Sequence, residues 1–191
     1  MIDQIMKGGD YMQEVRVHMS MSLVHTLPHT MHLRRVTATQ VGHDSGYSQP
    51  AISKYRTGAT KIPLESVPSL MRAFPEQGEE ILLDVAHQLS EFVAPVMNGS
   101  AISENPLSRV VMLVPQLQQA ITAVNNSLDE LSGPADSIHG ADDPQEAVIQ
   151  ILDASFYGYN AAIAICHTFG FSLQDLANER KKYWKHSKLV R

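Results

Sequence analysis

The sequence predicts an all-α protein with two helical parts. Apolar residues recur at intervals of three and four along both halves of the chain, which is the spacing of one helix face. The segment 94–106 contains two prolines, a glycine and small polar residues, and it separates the two helical regions. We therefore predict an N-terminal extension, a five-helix domain, a linker and a helical oligomerisation domain, at residues 1–26, 27–93, 94–106 and 107–191.

The N-terminal extension has an ambiguous pattern. Apolar and polar residues alternate from Val15 to Leu23, which is a strand period, but Met12, Val15, Met19 and Leu23 also form a helical stripe. Because methionine favours helix over strand, helix is the slightly preferred interpretation. A strand here would need a partner, most simply the same strand of a second subunit.

Two short helices joined by a tight turn are predicted early in the five-helix domain. Thr37 is a good N-cap for the first helix, and Gln40, three residues on, completes a capping box. Gly46 ends this helix, because glycine adopts the left-handed conformation at no steric cost. Ser48 caps the second helix, and Pro50 fits its first turn, where the missing N–H is harmless.

These two helices resemble the helix-turn-helix of the lambda repressor/Cro-like family of DNA-binding regulators. The residues in register are Thr37, Val41, Gly42 (for the usual Ala), Gly46, Tyr47, Ser48, Ile52, Ser53 and Gly58. The family usually has a phosphate-binding Gln directly after the Thr. This chain has Ala38 there, so that contact is not carried over. The resemblance covers about residues 27–92 and implies a five-helix DNA-binding domain.

The second helix is expected to enter the major groove of DNA, as recognition helices do. Helix spacing places polar residues on the side left free by Ile52 and Tyr55. Gln49 and Ser53 suit base edges, and Pro50 suits a thymine methyl group. The remaining candidates suit the DNA backbone. The predicted DNA-binding residues are Thr39, Gln40, Ser48, Gln49, Pro50, Ser53, Lys54, Thr57 and Lys61.

Charge is distributed unevenly along the chain. The whole protein has a net charge of −5, but Val15–Ala73 contains seven Lys or Arg against two acids. Local basic charge is what attracts the DNA backbone, so this distribution favours the N-terminal half as a DNA-binding region. His25, His29 and His32 have a spacing that a metal ion can use, but without a nearby Cys or carboxylate we interpret them as surface histidines.

The other helices of the N-terminal domain follow from caps and prolines. The first is predicted at Leu27–Arg35, with Thr26 as its N-cap. A fourth spans Leu64–Phe74, and Pro68 indicates that its regular part starts near Ser66. The fifth, at Glu76–Val93, has acids in its first turn and an apolar stripe formed by Ile81, Leu82, Val85, Leu89 and Phe92.

The C-terminal part is predicted to contain long helices and a basic end. Leu107–Leu131 has helical apolar spacing, and Pro115 is expected to kink or split it. A polar, acidic loop at 132–144 leads to a strongly apolar helix, Gln145–Phe169, which we expect to form a dimer interface. Gly170 ends that helix. Ser172 then caps a last helix, Leu173–His186, and residues 180–191 carry six Lys or Arg, which suit a second DNA-contacting arm or a solvated helix end.

The C-terminal half is also faintly similar to the MazG-like all-α nucleotide pyrophosphohydrolases. Those enzymes hold magnesium with two pairs of carboxylates, each pair spaced one helical turn apart. The matching positions here are Gln116, Gln119, Gln150 and Asp153, of which only Asp153 is charged. Three neutral amides cannot hold a divalent cation well, so no catalysis is expected. A degenerate nucleotide-binding protein with an attached helix-turn-helix is the alternative function.

Composition predicts the compartment. The single cysteine, Cys166, excludes an internal disulfide framework and suits a reducing cytoplasm. Its apolar surroundings predict a packed core thiol rather than a nucleophile paired with His167. No apolar run near twenty residues and no secretion signal were found in the sequence, so no membrane association is expected.

Together these patterns predict a cytoplasmic, sequence-specific transcriptional regulator of bacterial or phage type that requires no cofactor. The expected partners are double-stranded DNA, bound at a palindromic site, and a second copy of the chain in a homodimer or homotetramer. RNA polymerase is a further candidate partner, through an acidic surface formed by Glu76, Glu79, Glu80 and Asp84.

Overall fold

The computed structural model describes residues 19–75, 77–99, 102–103, 105–133 and 141–191. The described part is mostly helical, as the all-α prediction requires. Its elements are β1 (Ser20–Met21), α1 (Thr26–Arg34), α2 (Ala38–Ser45), α3 (Gln49–Thr57), β2 (Ile62–Pro63), a 3-10 turn (Leu64–Ser66), α4 (Val67–Met71), α5 (Glu79–Ser90), α6 (Pro106–Asn126), α7 (Leu128–Ser132), α8 (Asp142–Phe169) and α9 (Leu173–His186).

Helices α1 to α5 share one hydrophobic core. Helix α1 packs on α5, and α2 packs on both α3 and α4. The core is filled by large side chains that have almost no solvent exposure, among them Leu27, Ile52, Leu70, Phe74 and Ile81. Burying a side chain of this size contributes about 1.5–3 kcal/mol, so this cluster is a sufficient driving force for a small domain.

The chain enters this core as a strand. Ser20 and Met21 pair antiparallel with Pro63 and Ile62 of β2, and Leu23 is buried in the same core. The preferred helical interpretation is therefore wrong for Ser20–Met21, and the pairing partner lies within the same chain rather than in a second subunit. Residues 12–18, where the helical stripe began, lie outside the described residues.

Helix α1 begins without the predicted side-chain cap. Its N-cap residue is His25, and Thr26 is already its first helical residue. The Thr26 hydroxyl instead donates a hydrogen bond to Asp84 Oδ2 at 2.7 Å. The amide of Gln88 donates to the other oxygen of Asp84 and to the carbonyl of Ser22. Thr26 thus belongs to a polar network that ties the start of α1 to α5.

Helices α4 and α5 are shorter than predicted. Pro68 lies in the first turn of α4, which confirms that the regular helix starts late. Helix α5 is bounded by Gly78 and by Glu91, whose φ of 60° ends it. The predicted apolar stripe of α5 is correct only in part: Ile81 and Val85 are buried with Leu83, whereas Leu82, Leu89 and Phe92 are exposed.

Helices α6 and α8 form an antiparallel hairpin, the first turns of α8 lying beside the last turns of α6. Pro115 lies inside a continuous α6, so the helix is not split there; it ends at Asn126, before the short α7. The side chains buried in this hairpin include the small residues Ala120, Ala123 and Ala147, together with the larger Arg109 and Ile163.

Helix α9 follows α8 as the sequence predicted. Gly170, with a φ of 69°, ends α8, and the hydroxyl oxygen of Ser172 accepts a hydrogen bond from the Asp175 amide at 3.1 Å. Helix α9 has no buried residue, and the Arg180 guanidinium lies 4.3 Å from the centre of the Tyr183 ring. The basic end is therefore exposed to solvent.

The predicted linker is held against α8 rather than free. Asn160 is 2% exposed; its Oδ1 accepts a hydrogen bond from the Met97 amide at 2.7 Å, and its Nδ2 donates to the Pro95 carbonyl at 3.0 Å. A second contact between the two halves joins His167 Nε2 to Glu79 Oε2 at 3.4 Å. These contacts dock the five-helix core onto the hairpin.

One described helix, α8, is long and apolar enough to cross a membrane by length and composition alone, with a mean hydropathy of 1.2 over its most apolar window. The helix meets this criterion by its average hydropathy, because polar residues interrupt its apolar run. Only 17% of that window is buried. The core helix of a soluble protein passes the same test of length and composition.

Candidate nucleic-acid interface

The geometry of α2 and α3 is set by the caps that the sequence predicted. Gln40 Oε1 accepts a hydrogen bond from the Thr37 amide at 2.8 Å, while Thr37 Oγ1 accepts from the Gln40 amide at 3.3 Å. Gly46 adopts the left-handed conformation, with a φ of 80°. A Cβ atom at Gly42 would lie 2.6 Å from the Tyr47 carbonyl oxygen, so only glycine permits this close crossing.

Helix α3 is held on one side by buried and aromatic residues. Ile52 has no solvent exposure. The rings of Tyr47 and Tyr55 meet edge to face, with centres 6.1 Å apart. Burial raises the pKa of the Tyr55 hydroxyl, and Tyr47 adds to this effect. Because this side of α3 faces the core, its opposite side faces solvent.

The solvent side of α3 is polar. Gln49, Pro50, Lys54 and Thr57 are exposed and Ser53 is half-buried. Gln49 Nε2 donates a hydrogen bond to Ser53 Oγ at 3.0 Å, so the two predicted base-reading side chains are joined across one helical turn. A Gln side chain pre-positioned in this way keeps its carbonyl oxygen and a second N–H for a base edge.

Two predicted DNA-binding residues have structural roles that limit their availability. The carbonyl oxygen of Gln40 is used twice in the capping box, by the amide and the hydroxyl of Thr37. Ser48 Oγ accepts from the Ala51 amide at 3.4 Å as the cap of α3. Only the Gln40 NH₂ group and the Ser48 hydroxyl proton are left for phosphate oxygens. Thr39 and Lys61 are exposed, as their predicted role requires.

A basic flank beside α3 was not among the predicted site residues. Arg35 and Arg56 border, with His32, a shallow concave surface of about 590 Å³ between α1 and α3. All three are exposed, and Arg35 ends α1 with a φ of 53°. The charge count of the N-terminal half included both arginines. The two arginines lie close together because α1 packs beside α3, and the sequence pattern did not predict this packing.

The described acidic residues predicted to contact RNA polymerase do not form a freely exposed surface, and polymerase as a partner stays a prediction. Glu80 is 7% exposed and its Oε2 lies 2.6 Å from His29 Nδ1. Glu79 contacts His167, and Asp84 accepts from Thr26. Glu76 lies outside the described residues. These carboxylates hold helices together, because each meets a donor on another helix that the one-dimensional pattern cannot place.

His25 and His32 are exposed, as predicted for surface histidines, whereas His29 is half-buried against the carboxylate of Glu80. Within the described ranges, no group of three His, Cys, Asp or Glu side chains is close enough to hold a metal ion. Cys166 is buried, as predicted for a packed core thiol. Burial raises its pKa, and the negative charge of Glu79 adds to this effect. The thiol therefore favours its protonated, unreactive form.

The positions that match the nucleotide pyrophosphohydrolases are only partly together. Gln119 and Gln150 line one groove between α6 and α8, where Gln150 Nε2 donates to Glu146 Oε1 at 2.7 Å. Gln116 and Asp153 do not line that groove. One carboxylate in the groove, already accepting a hydrogen bond, is a poor ligand set for a divalent cation.

No family model, no curated protein and no solved structure matches this chain.

Proposed function

We propose that this protein is a sequence-specific DNA-binding transcriptional regulator whose α2 and α3 form a helix-turn-helix of the lambda repressor-like type. The observation that supports it most is the solvent face of α3, which is polar and carries no acid, with Arg35 and Arg56 beside it. A helix presented in this way matches the width of the major groove, and the flanking cations match the phosphates.

The proposed contacts divide into reading and positioning. Gln49 and Ser53 at the N-terminal end of α3 read base edges, with Pro50 against a thymine methyl group. Lys54, Thr57, Thr39 and Lys61 contact the DNA backbone from α2, α3 and the following loop. Arg35 at the end of α1 and Arg56 on the α1-facing side of α3 extend the backbone contacts.

The C-terminal hairpin is proposed to pair two copies in the cytoplasm. A single small recognition helix makes few base contacts, whereas a two-fold dimer doubles them on a palindromic site. Helices α6 and α8 each carry an exposed apolar stripe that a second copy would cover. The exposed members are Leu107, Val111, Val114, Leu117 and Ile121 on α6, and Val148, Ile149, Ile151, Leu152 and Tyr159 on α8.

The size of these stripes supports a stable pair. The ten side chains are between 43% and 70% exposed. Burying the exposed part of each contributes roughly 1 kcal/mol, so together they offset the cost of association. Because the stripes lie on two helices, a dimer covers one stripe or both. If a dimer covers only one, a homotetramer would cover the second stripe.

Selection of bound sequences from random DNA tests this function. The chain should enrich a palindromic consensus, and Gln49→Ala should relax the preference at one position in each half-site, since each lost bidentate contact costs about 1–3 kcal/mol of discrimination. Gln145→Ala, an exposed glutamine in the first turn of α8, is the matched control and should leave the consensus unchanged. Failure of the wild-type chain to enrich any sequence would contradict the proposal.

A further inference from the structure

A small polar cavity lies where the five-helix core meets the hairpin. Its volume is about 230 Å³, which corresponds to between seven and eight water molecules at liquid density. Residues of α1, of α5, of the 94–99 segment and of α6 line it. The polar lining side chains are His25, Thr26, His29, Glu80, Asn98 and Arg109.

Arg109 is the unexplained group in this cavity. Its residue is only 6% exposed, and no described atom accepts a hydrogen bond from its Nε. A guanidinium presents five N–H donors and stays charged at any physiological pH. Leaving such a group buried without an acceptor is costly, so a buried arginine of this kind indicates a binding partner that carries acceptors.

Three of the other polar residues of the cavity, Thr26, His29 and Glu80, already have partners. Glu80 Oε2 lies 2.6 Å from His29 Nδ1, and the Thr26 hydroxyl donates to Asp84. The cavity rim is fixed because Asn160 holds the Met97 amide. Glu80 is therefore paired with His29 of α1. Arg109 faces the cavity from α6, and no described carboxylate forms an ion pair with it.

We propose that this cavity binds a small anion, a carboxylate or a phosphate, through Arg109. Planar guanidinium groups bind both kinds of anion with two parallel N–H···O bonds. The volume suits a ligand of the size of inorganic phosphate or a short dicarboxylate. His29 and Glu80, joined by their Nδ1–Oε2 contact, also line this cavity, so a ligand hydroxyl or amine finds a carboxylate acceptor there.

The position of the cavity gives this anion a regulatory role, and this part of the inference rests on the proposed DNA-binding function. The ligand would touch α1 of the DNA-binding core, the 94–99 segment and α6 of the hairpin at once. Binding would therefore stabilise one arrangement of the recognition helices relative to the paired hairpins. A ligand changes DNA affinity to the extent that it binds the two arrangements differently.

Thermal unfolding of the full chain in inorganic phosphate or succinate, against chloride at equal ionic strength, tests the site. Either anion should raise the Tm of the wild-type chain in a saturable manner. Arg109→Met should abolish that rise and, in chloride alone, increase the Tm by at least about 2 °C, since it removes a buried unpaired charge. Arg180→Met, the same change on the exposed α9, should retain the wild-type response.

The outcomes distinguish the two classes of anion and show whether Arg109 forms the binding site. A rise with phosphate alone or with succinate alone identifies the anion class. No rise with either, or an equal rise in Arg109→Met, overturns the proposal. If Arg109→Met does not fold, Arg109→Lys decides by titration calorimetry: a loss of at least about tenfold in affinity supports bidentate binding, and an unchanged affinity overturns it.

DNA binding with and without the anion then separates this inference from the proposed function. A Tm rise in a chain that selects no DNA sequence supports the anion site and contradicts the regulator. A chain that selects a palindrome but gives no Tm rise supports the regulator and overturns the anion site.

Discussion

The two halves of this molecule bury different kinds of side chain. The N-terminal core encloses Phe74, Leu27 and Ile52, which have at most 1% of their surface exposed. The hairpin encloses Ala120 and Ala123 and, apart from the buried Ile163, leaves most of its large apolar residues partly or fully in solvent. The first half buries most of its large hydrophobic residues within one chain. The second half needs another surface, which is why we assign self-association to it.

The same contrast divides the two proposed functions, DNA binding and self-association, between the two halves. Helix α3 is fixed by a completed core, so its polar face is available for a ligand outside the protein. The outward stripes of α6 and α8 are apolar and continuous, which suits a protein surface rather than DNA. We therefore predict that mutations in the N-terminal core change the free energy of unfolding. Mutations on the stripes of the hairpin should instead change the dissociation constant of the assembly.

The largest expected effect is in the N-terminal core. Leu27→Ala should lower the free energy of unfolding by about 2–5 kcal/mol, because it opens a cavity in a closed core. Leu33→Ala on the same helix, where the side chain is 37% exposed, should cost clearly less. Denaturant unfolding monitored at two protein concentrations measures both. Equal costs for the two leucines would show that this core is not the closed cluster described.

A slightly smaller effect is expected on the hairpin, and it should depend on protein concentration. Ile121→Asp places a charge in the exposed stripe of α6 and should raise the dissociation constant of the assembly by about 100-fold or more, which is about 2.7 kcal/mol. Sedimentation equilibrium measures this constant. Asn178→Asp adds the same charge on the exposed α9, outside both stripes, and should change it little. An assembly mass that Ile121→Asp leaves unaltered would assign pairing to another surface.

The smallest expected effect compares one substitution at two glycines. Gly42→Ala should destabilise the protein by about 1–3 kcal/mol, since its Cβ would lie 2.6 Å from the Tyr47 carbonyl oxygen. Gly158→Ala in α8 meets nothing within 4 Å and should stabilise by up to about 1 kcal/mol. Thermal unfolding of the two variants gives the signs. Destabilisation by Gly158→Ala would mean that a second chain packs closely at that point.

Features that depend on a few neighbouring residues were predictable from the sequence. The capping box of Thr37 and Gln40, the left-handed Gly46 and the Ser172 cap are all as predicted, since each is a contact within one or two turns. The exposed polar face of α3 followed from the apolar positions Ile52 and Tyr55 by helix spacing alone.

Features that depend on tertiary packing were not predictable. The burial of Asn160 and Arg109 requires the 94–99 segment to lie against the hairpin, which no local pattern indicates. The sequence placed Glu80 and Asp84 on an exposed acidic surface. Their partners, His29 and Thr26, lie more than fifty residues earlier, so no local pattern shows the pairing. The basic flank at Arg35 and Arg56 depends in the same way on how α1 packs beside α3.

The most direct test of the central claim, that paired copies read DNA with α3, is a footprint on the selected sequence. The wild-type chain should protect two segments about one helical turn, or 34 Å, apart on one face of the duplex. Ile121→Asp should protect a single segment, with weaker affinity. Two protected segments from the Ile121→Asp monomer, or no protection by the wild-type chain, would contradict the account.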